Sequence, residues 1–200
     1  MIHAQSKFTS PGVPRLGIPD LAVNDGPQGV REELLWDKWD AAGRTNDSCT
    51  AYPALMSVAA SWNRDIAALY GKSIGEEFRQ RNKDVALTPG INIYRHPLCG
   101  RNFEYMGEDP YLAGILAAEA VKGIQSNGVA ACVKHFALNN QEIDRHKVNV
   151  VVSDRALHEI YLEGFRRAIV DGGAWTVMGA YNKYRDQFCA HNEYLNKILK

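Results

Sequence analysis

The run Gly128-Val-Ala-Ala-Cys-Val133 narrows the folds open to this chain more than any other stretch. It is short, free of charge, and built from small and β-branched residues. Such a run reads as a strand buried on both faces, the situation of a strand inside a parallel sheet. It leads directly into Lys134 and His135, and then into a polar loop carrying Asn139, Asn140, Glu142, Asp144 and Arg145. Ligand sites of α/β proteins gather at the carboxyl ends of parallel strands, so cationic and hydrogen-bonding groups placed there acquire a functional reading. The alternative is that Lys134 and His135 merely cap a strand at the surface.

The flanking chain repeats the strand–helix rhythm. Leu21-Ala-Val-Asn24 is a short apolar segment ending at Asp25-Gly26-Pro27, a strong turn signal. Asp25 is then either a site carboxylate or the acceptor of a local Asx-turn. Residues 31–50 read as a polar loop whose Trp36 and Trp39 either line a cleft or pack on the loop's own base. Leu55 to Ala60 reads as a second strand, followed by a helix with Ile66, Leu69, Tyr70, Ile74 and Phe78 on one face. Val85 to Asn92 is strand-like and breaks at Pro89-Gly90. The loop from Tyr94 to Asp109 precedes Pro110, which opens a helix with Leu112, Ile115, Leu116, Val121 and Ile124 as its apolar positions.

Beyond the 128–135 strand, Ser153-Asp154 forms an N-cap pair for a helix over 154–171, with Leu157, Ile160, Tyr161, Phe165 and Ile169 inward. Gly172-Gly173 stop it, Trp175 to Met178 is the next strand, and a last helix begins near Asn192. About five βα units emerge, whereas a complete eightfold barrel needs roughly 250 residues. The expected fold is α/β, a partial TIM-like (β/α)8 barrel with mostly parallel strands. Residues 1–200 read as one incomplete domain.

Composition removes several function classes. Lys+Arg and Asp+Glu balance at 23 each, so no global field draws the chain to nucleic acid or an anionic membrane. No apolar run approaches bilayer length, and MIHAQSKFTS lacks a signal-peptide core, which points to a cytoplasmic setting. Cys49, Cys99, Cys132 and Cys189 form no CxxC pair, so zinc ligation has little support and a reducing compartment is favoured. No cofactor or metal is implied.

Asp25, Asn92, Arg101, Lys134, His135, Arg145, Met178 and Tyr181 all fall at or just after candidate strand ends. In a barrel those ends form one face. An accepting carboxylate among Arg, Lys and His donors suits a neutral polyol; a phosphate would want a glycine-rich loop opening a helix, and none is evident. Two other chemistries stay open from the residues alone. Lys134 could form a Schiff base, as in barrel aldolases. His135 and His146 could bind a metal, although their spacing fits no single helix or strand face.

Four blocks carry a resemblance: NDGPQGVR (24–31), GRNFEYMGEDPYLAG (100–114), CVKHFALNNQEIDR (132–145) and VMGAYNK (177–183). In this order they resemble the N-terminal barrel domain of glycoside hydrolase family 3, particularly its bacterial β-glucosidases, from about residue 14 onward. The resemblance implies that Asp25 accepts hydrogen bonds from a −1 glucose and that Arg101, Lys134 and His135 donate to it. It implies that Arg145 and Tyr181 orient the catalytic nucleophile and that Met178 lines the pocket wall. It also implies non-proline cis peptides around His135. The substrate would be a small β-glucoside or oligosaccharide, hydrolysed with retention by two carboxylates. Asp25-Gly26-Pro27 favours glucosides over xylosides, and Ala137-Leu138-Asn139 stands where the family's N-acetylglucosaminidases carry Pro-Gly-His. In the family the nucleophilic Asp and the acid/base Glu would both fall beyond Lys200, in the C-terminal remainder of the protein, so these residues alone are expected to be inactive; the alternative reading is a non-catalytic sugar-binding remnant. Glu104, Glu142, Asp144 and Asp154 are expected to serve loop hydrogen bonding or capping, none of them catalysis.

Overall fold

The computed structural model describes residues 7–31, 39–40 and 49–200. Trp36 and most of the expected 31–50 loop lie outside them. A five-stranded sheet runs in the order β1 (Thr9–Ser10), β2 (Leu21–Asn24), β3 (Val85–Ala86), β4 (Ala130–Phe136), β6 (Thr176–Gly179). All pairings are parallel except the β1–β2 edge. The sheet curls into half of a TIM-like barrel with helices outside. A second small sheet joins β5 (Asn149–Val150) to β7 (Lys183–Tyr184) and β8 (Gln187–Phe188).

Every residue of β4 is buried, which is why its first four residues, Ala130 to Val133, form an unbroken apolar run and not an alternation. Alternation still decides direction. Ala131 and Val133 belong to the main core under the helices, while Val85, Ala130 and Cys132 form a separate inner cluster with Val23, Leu87 and Met178.

The segment 55–60, expected as a strand, is helix α1 (Leu55–Ala60). Its buried residues are Leu55, Val58 and Ala59, the i, i+3, i+4 spacing of a helix face. A six-residue apolar run cannot be assigned by periodicity alone, so the reading of five βα units becomes four parallel strands.

Helix α2 (Arg64–Gln80) starts at Asn63, whose side chain accepts from the Asp65 and Ile66 amides. Its buried stripe is Ala67, Tyr70, Gly71, Ile74, Gly75 and Phe78; Ile66 and Leu69, expected inward, are exposed. The stripe is set by the neighbouring α3 (Pro110–Gln125): a Cβ on Gly71 would fall 2.2 Å from Ala120 O, and one on Gly123 would fall 2.4 Å from Ala68 O. Backbones this close require glycine on both helices. Asp109 caps α3 through the Leu112 amide at 2.7 Å, with Pro110 in the first turn as expected.

The expected helix over 154–171 is divided. Ser153 caps a short α4 (Asp154–Ala156), a π turn spans Leu157–Tyr161, and α5 runs Glu163–Val170. The extra residue of the π turn re-phases the face, so burial passes from Leu157 to Leu162, Phe165 and Ala168, leaving Ile160, Tyr161 and Ile169 half-buried. Asn192 caps the final α6 (Glu193–Leu199) through the Leu195 amide. Among the described residues, no helix is long and apolar enough to cross a membrane.

Candidate active site

Extending the inner row of the sheet by two residues leads from Val23 to Asp25 and from Cys132 to Lys134. The two side chains do meet. Lys134 Nζ lies 3.8 Å from Asp25 Oδ1 and 2.9 Å from Glu104 Oε2. Lys134 and His135 are almost wholly buried, at 2% and 3% exposure, so the surface-capping alternative fails. Asp25 does not close an Asx-turn either. Its neighbour Asn24 does the local work, accepting from the Asp25 amide and exchanging hydrogen bonds with Arg31. That leaves the Asp25 carboxylate to Arg31, at 3.4 Å, and Lys134.

The loop over 94–109 brings Arg101 and Glu104 in on a single 3₁₀ turn (Asn102–Glu104). Arg101 Nε donates to Glu104 Oε1, and its Nη1 lies 3.9 Å from Glu142 Oε1. Glu142 in turn accepts from Arg145 at 2.7 Å and from Asn139 at 3.1 Å. Arg145 sits over the Tyr181 ring at 5.1 Å from its centroid, and His146 stacks on the same ring. Met178 pairs in register with Lys134. All seven expected site residues therefore fall into one connected group, linked through Glu104, Tyr105, Asn139 and Glu142.

His135 is held on both its backbone and its ring. The Asn92 side chain accepts from the His135 amide at 2.7 Å and donates to its carbonyl at 3.0 Å. The ring nitrogen Nδ1 lies 3.1 Å from the Tyr105 hydroxyl. The sheet register shifts between Lys134 and Phe136, and the Lys134–His135 and Phe136–Ala137 peptides are cis, as the resemblance implied.

Charges on this face are strongly coupled. Burial opposes ionisation of Glu104, but Lys134 and the hydrogen bond from Arg101 outweigh it and hold the carboxyl below the usual carboxylate range. Burial, followed by Arg101, Lys134 and Arg145, drives His135 down to about 2, so its ring is neutral at physiological pH. Four cations (Arg31, Arg101, Lys134, Arg145) face three carboxylates (Asp25, Glu104, Glu142) in the group.

Residues 21–200 match the "Glycosyl hydrolase family 3 N terminal domain". The chain belongs to glycosyl hydrolase family 3. It is 62% identical over 199 residues to Beta-glucosidase BoGH3A of Bacteroides ovatus, covering 99% of this chain and 27% of that protein. Thermostable beta-glucosidase B of Acetivibrio thermocellus is 46% identical over 94% of the chain and 25% of its own length. Among solved structures, beta-glucosidase 3B from Thermotoga neapolitana in complex with glucose superposes with a TM-score of 0.90 at 44% identity, over 99% of this chain and 28% of that one. The chain thus spans about a quarter of the length of the curated relatives it matches.

For a family 3 chain the aldolase alternative loses its footing. Lys134 Nζ is engaged by two carboxylates, whereas a Schiff-base lysine must present a free amine to a carbonyl. His135 and His146 are taken up separately by Tyr105 and Tyr181, and no cluster of three potential metal ligands occurs among the described residues. Trp39 packs edge-on against Phe8 at 5.9 Å, with Arg31 at 6.0 Å, so it supports the Asp25 partner at one remove.

Reading strand ends alone missed the residues that join the site together. Glu104 is three positions after Arg101, and a buried cation at a strand tip needs a carboxylate partner; that requirement was the available signal. Tyr105, Asn139 and Glu142 lie in loops, where sequence spacing does not report which groups meet. Of the carboxylates held back from a catalytic role, Asp154 pairs with Arg185 at 2.5 Å and Asp144 lies 3.8 Å from Lys147, both exposed.

Proposed function

We propose that this chain builds the −1 sugar subsite of a retaining β-glucosidase, with Asp25 as the acceptor for glucose hydroxyls and Arg101, Lys134 and His135 as donors. Arg145 and Tyr181 orient a nucleophile, and Met178 lines the wall. The convergence of Asp25, Lys134, Glu104 and Arg101 in one connected group is the observation that carries this reading. A neutral sugar is recognised by hydrogen bonds of fixed direction, and side chains locked by ion pairs supply them without an ordering cost at binding.

The reaction is hydrolysis of terminal β-D-glucosidic bonds through an oxocarbenium-like transition state, by one carboxylate that attacks the anomeric carbon and one that serves as acid and then base. Glu104 and Glu142 are occupied by Lys134, Arg101 and Arg145, so neither is free to attack. As the family resemblance implies, we assign both catalytic carboxylates to parts of the protein outside these 200 residues. Among the ion-paired groups of the described residues, the one cation in excess suits the approach of one further carboxylate. We read residues 1–200 as one incomplete barrel domain that works with that remainder on a small β-glucoside or oligosaccharide. The four free cysteines fit a cytoplasmic setting.

The test has two parts. Calorimetric titration of the chain with glucose should give saturable binding, and aryl β-glucoside should release no p-nitrophenol. Turnover by the chain alone would place the nucleophile within it and overturn the assignment. Heats no different from dilution would remove the subsite itself.

A further inference from the structure

The His135 ring has two nitrogens, and the tautomer decides which one can donate. The surroundings determine it. Glu142 is ion-paired with Arg145, so its carboxylate oxygens only accept. Asn139 therefore turns its amide nitrogen, not its oxygen, toward Glu142 at 3.1 Å, and the same nitrogen lies 3.2 Å from the Tyr105 hydroxyl. Tyr105 accepts there from Asn139, which leaves its own proton to be donated onward. Among the described residues, the remaining hydrogen-bonding neighbour of the hydroxyl is His135 Nδ1, at 3.1 Å. A nitrogen that accepts this proton carries none of its own.

We infer that Tyr105, oriented by Asn139 and Glu142, is a positioning residue that fixes His135 as the Nε2–H tautomer, with the ring's one donor on the side away from Tyr105. The chain of donors runs one way: Asn139 to Tyr105, and Tyr105 to His135 Nδ1. Burial raises Tyr105 above the normal phenol range, so its proton stays in place across the working pH range. Asn92 clamps the His135 backbone on both sides, which fixes the point from which the ring projects toward Tyr105. The significance of that donor for glucose rests on the subsite reading above; the tautomer itself does not.

The experiment is long-range proton–nitrogen correlation of the histidine rings in the 15N-labelled chain between pH 5 and 8, without sugar. One ring is expected as neutral Nε2–H with a hydrogen-bonded Nδ1, and it should not titrate. In Tyr105→Phe its Nδ1 signal is expected to shift to that of a free imine nitrogen or to a mixture of tautomers. A wild-type ring found as Nδ1–H, or one protonating near pH 6.5 in place of this one, would overturn the proposal. So would an unchanged Nδ1 signal in Tyr105→Phe. If that variant does not fold, the wild-type spectrum still decides the tautomer. Glucose titration in parallel separates the two ideas: a ring fixed as Nε2–H in a chain that ignores glucose keeps the tautomer and discards the subsite.

Discussion

Replacing Glu104 with Gln removes the charge shared by the buried Lys134 and the half-buried Arg101. Glu104 is 3% exposed, its Lys134 partner 2%, and the carboxylate contacts Lys134 at 2.9 Å and Arg101 through Nε. Breaking a buried pair from one side costs about 3–5 kcal/mol, because the remaining charge is left in a medium that cannot solvate it. Here each cation keeps a second, longer contact, Lys134 to Asp25 at 3.8 Å and Arg101 to Glu142 at 3.9 Å. The loss therefore belongs at the lower end, about 3 kcal/mol.

Urea unfolding followed by circular dichroism measures it. With a slope of about 2 kcal/mol per molar urea, the midpoint of Glu104→Gln should fall by about 1.5 M at pH 7. The pH dependence tests the cause. The folded-state pKa of Glu104 is depressed, so its contribution is fully present above the unfolded value of about 4.3 and is lost as pH falls through the lower folded value. Glu119 and Glu163 are depressed as well, but they titrate equally in both proteins and drop out of the difference. The gap between wild type and variant should hold from pH 7 to about 5 and close only below about 4. A midpoint change under about 0.3 M at pH 7, or a gap that persists undiminished at pH 2, would refute the reasoning.

Three further outcomes are expected. Gly71→Ala should lower stability by about 1–3 kcal/mol in the same urea assay, because its methyl would meet the Ala120 carbonyl of α3; an unchanged midpoint would mean that α2 and α3 are not in backbone contact. Asp25→Asn should weaken glucose binding in calorimetry by roughly tenfold or more, the scale of a charge-assisted hydrogen bond, while its half-exposed position keeps the stability change under about 1 kcal/mol; equal glucose affinity would detach Asp25 from the subsite. His135→Gln should flatten the stability profile on the acid side. The His135 pKa is depressed on folding to about 2, so wild-type stability is complete above the unfolded value of about 6.5 and falls by up to about 1.4 kcal/mol per pH unit below it. Identical wild-type and variant slopes between pH 6 and 4.5 would show that the folded ring takes up a proton there.

How much of this site could be read in the chain depends on which distances its residues had to span. Lys134 was legible because the run before it is buried along its whole length, so a polar residue at its tip must either reach solvent or find a partner. Asp25 was legible for a different reason: the turn signal Asp25-Gly26-Pro27 closes a candidate strand, although β2 is only partly buried and β3 lies between it and β4. Alternation then carried both to a common point, and little besides strand order was needed. Leu55 to Ala60 shows where the method fails, since six apolar residues fit either period and only the partner across the fold decides. The exposed Ile66 and Leu69 make the same point on a true helix: the buried stripe follows the face whose glycines admit α3, and apolar side chains off that face stay exposed. Glu104 was passed over because loop carboxylates usually bond locally, and its burial became visible only once Lys134 and Arg101 stood on either side. A strand tip can therefore announce a charge, while the countercharge that makes its burial possible comes from a loop whose path local sequence does not encode. That division predicts where sequence readings of barrel sites will be incomplete: at the partners of the buried cations, and not at the cations themselves.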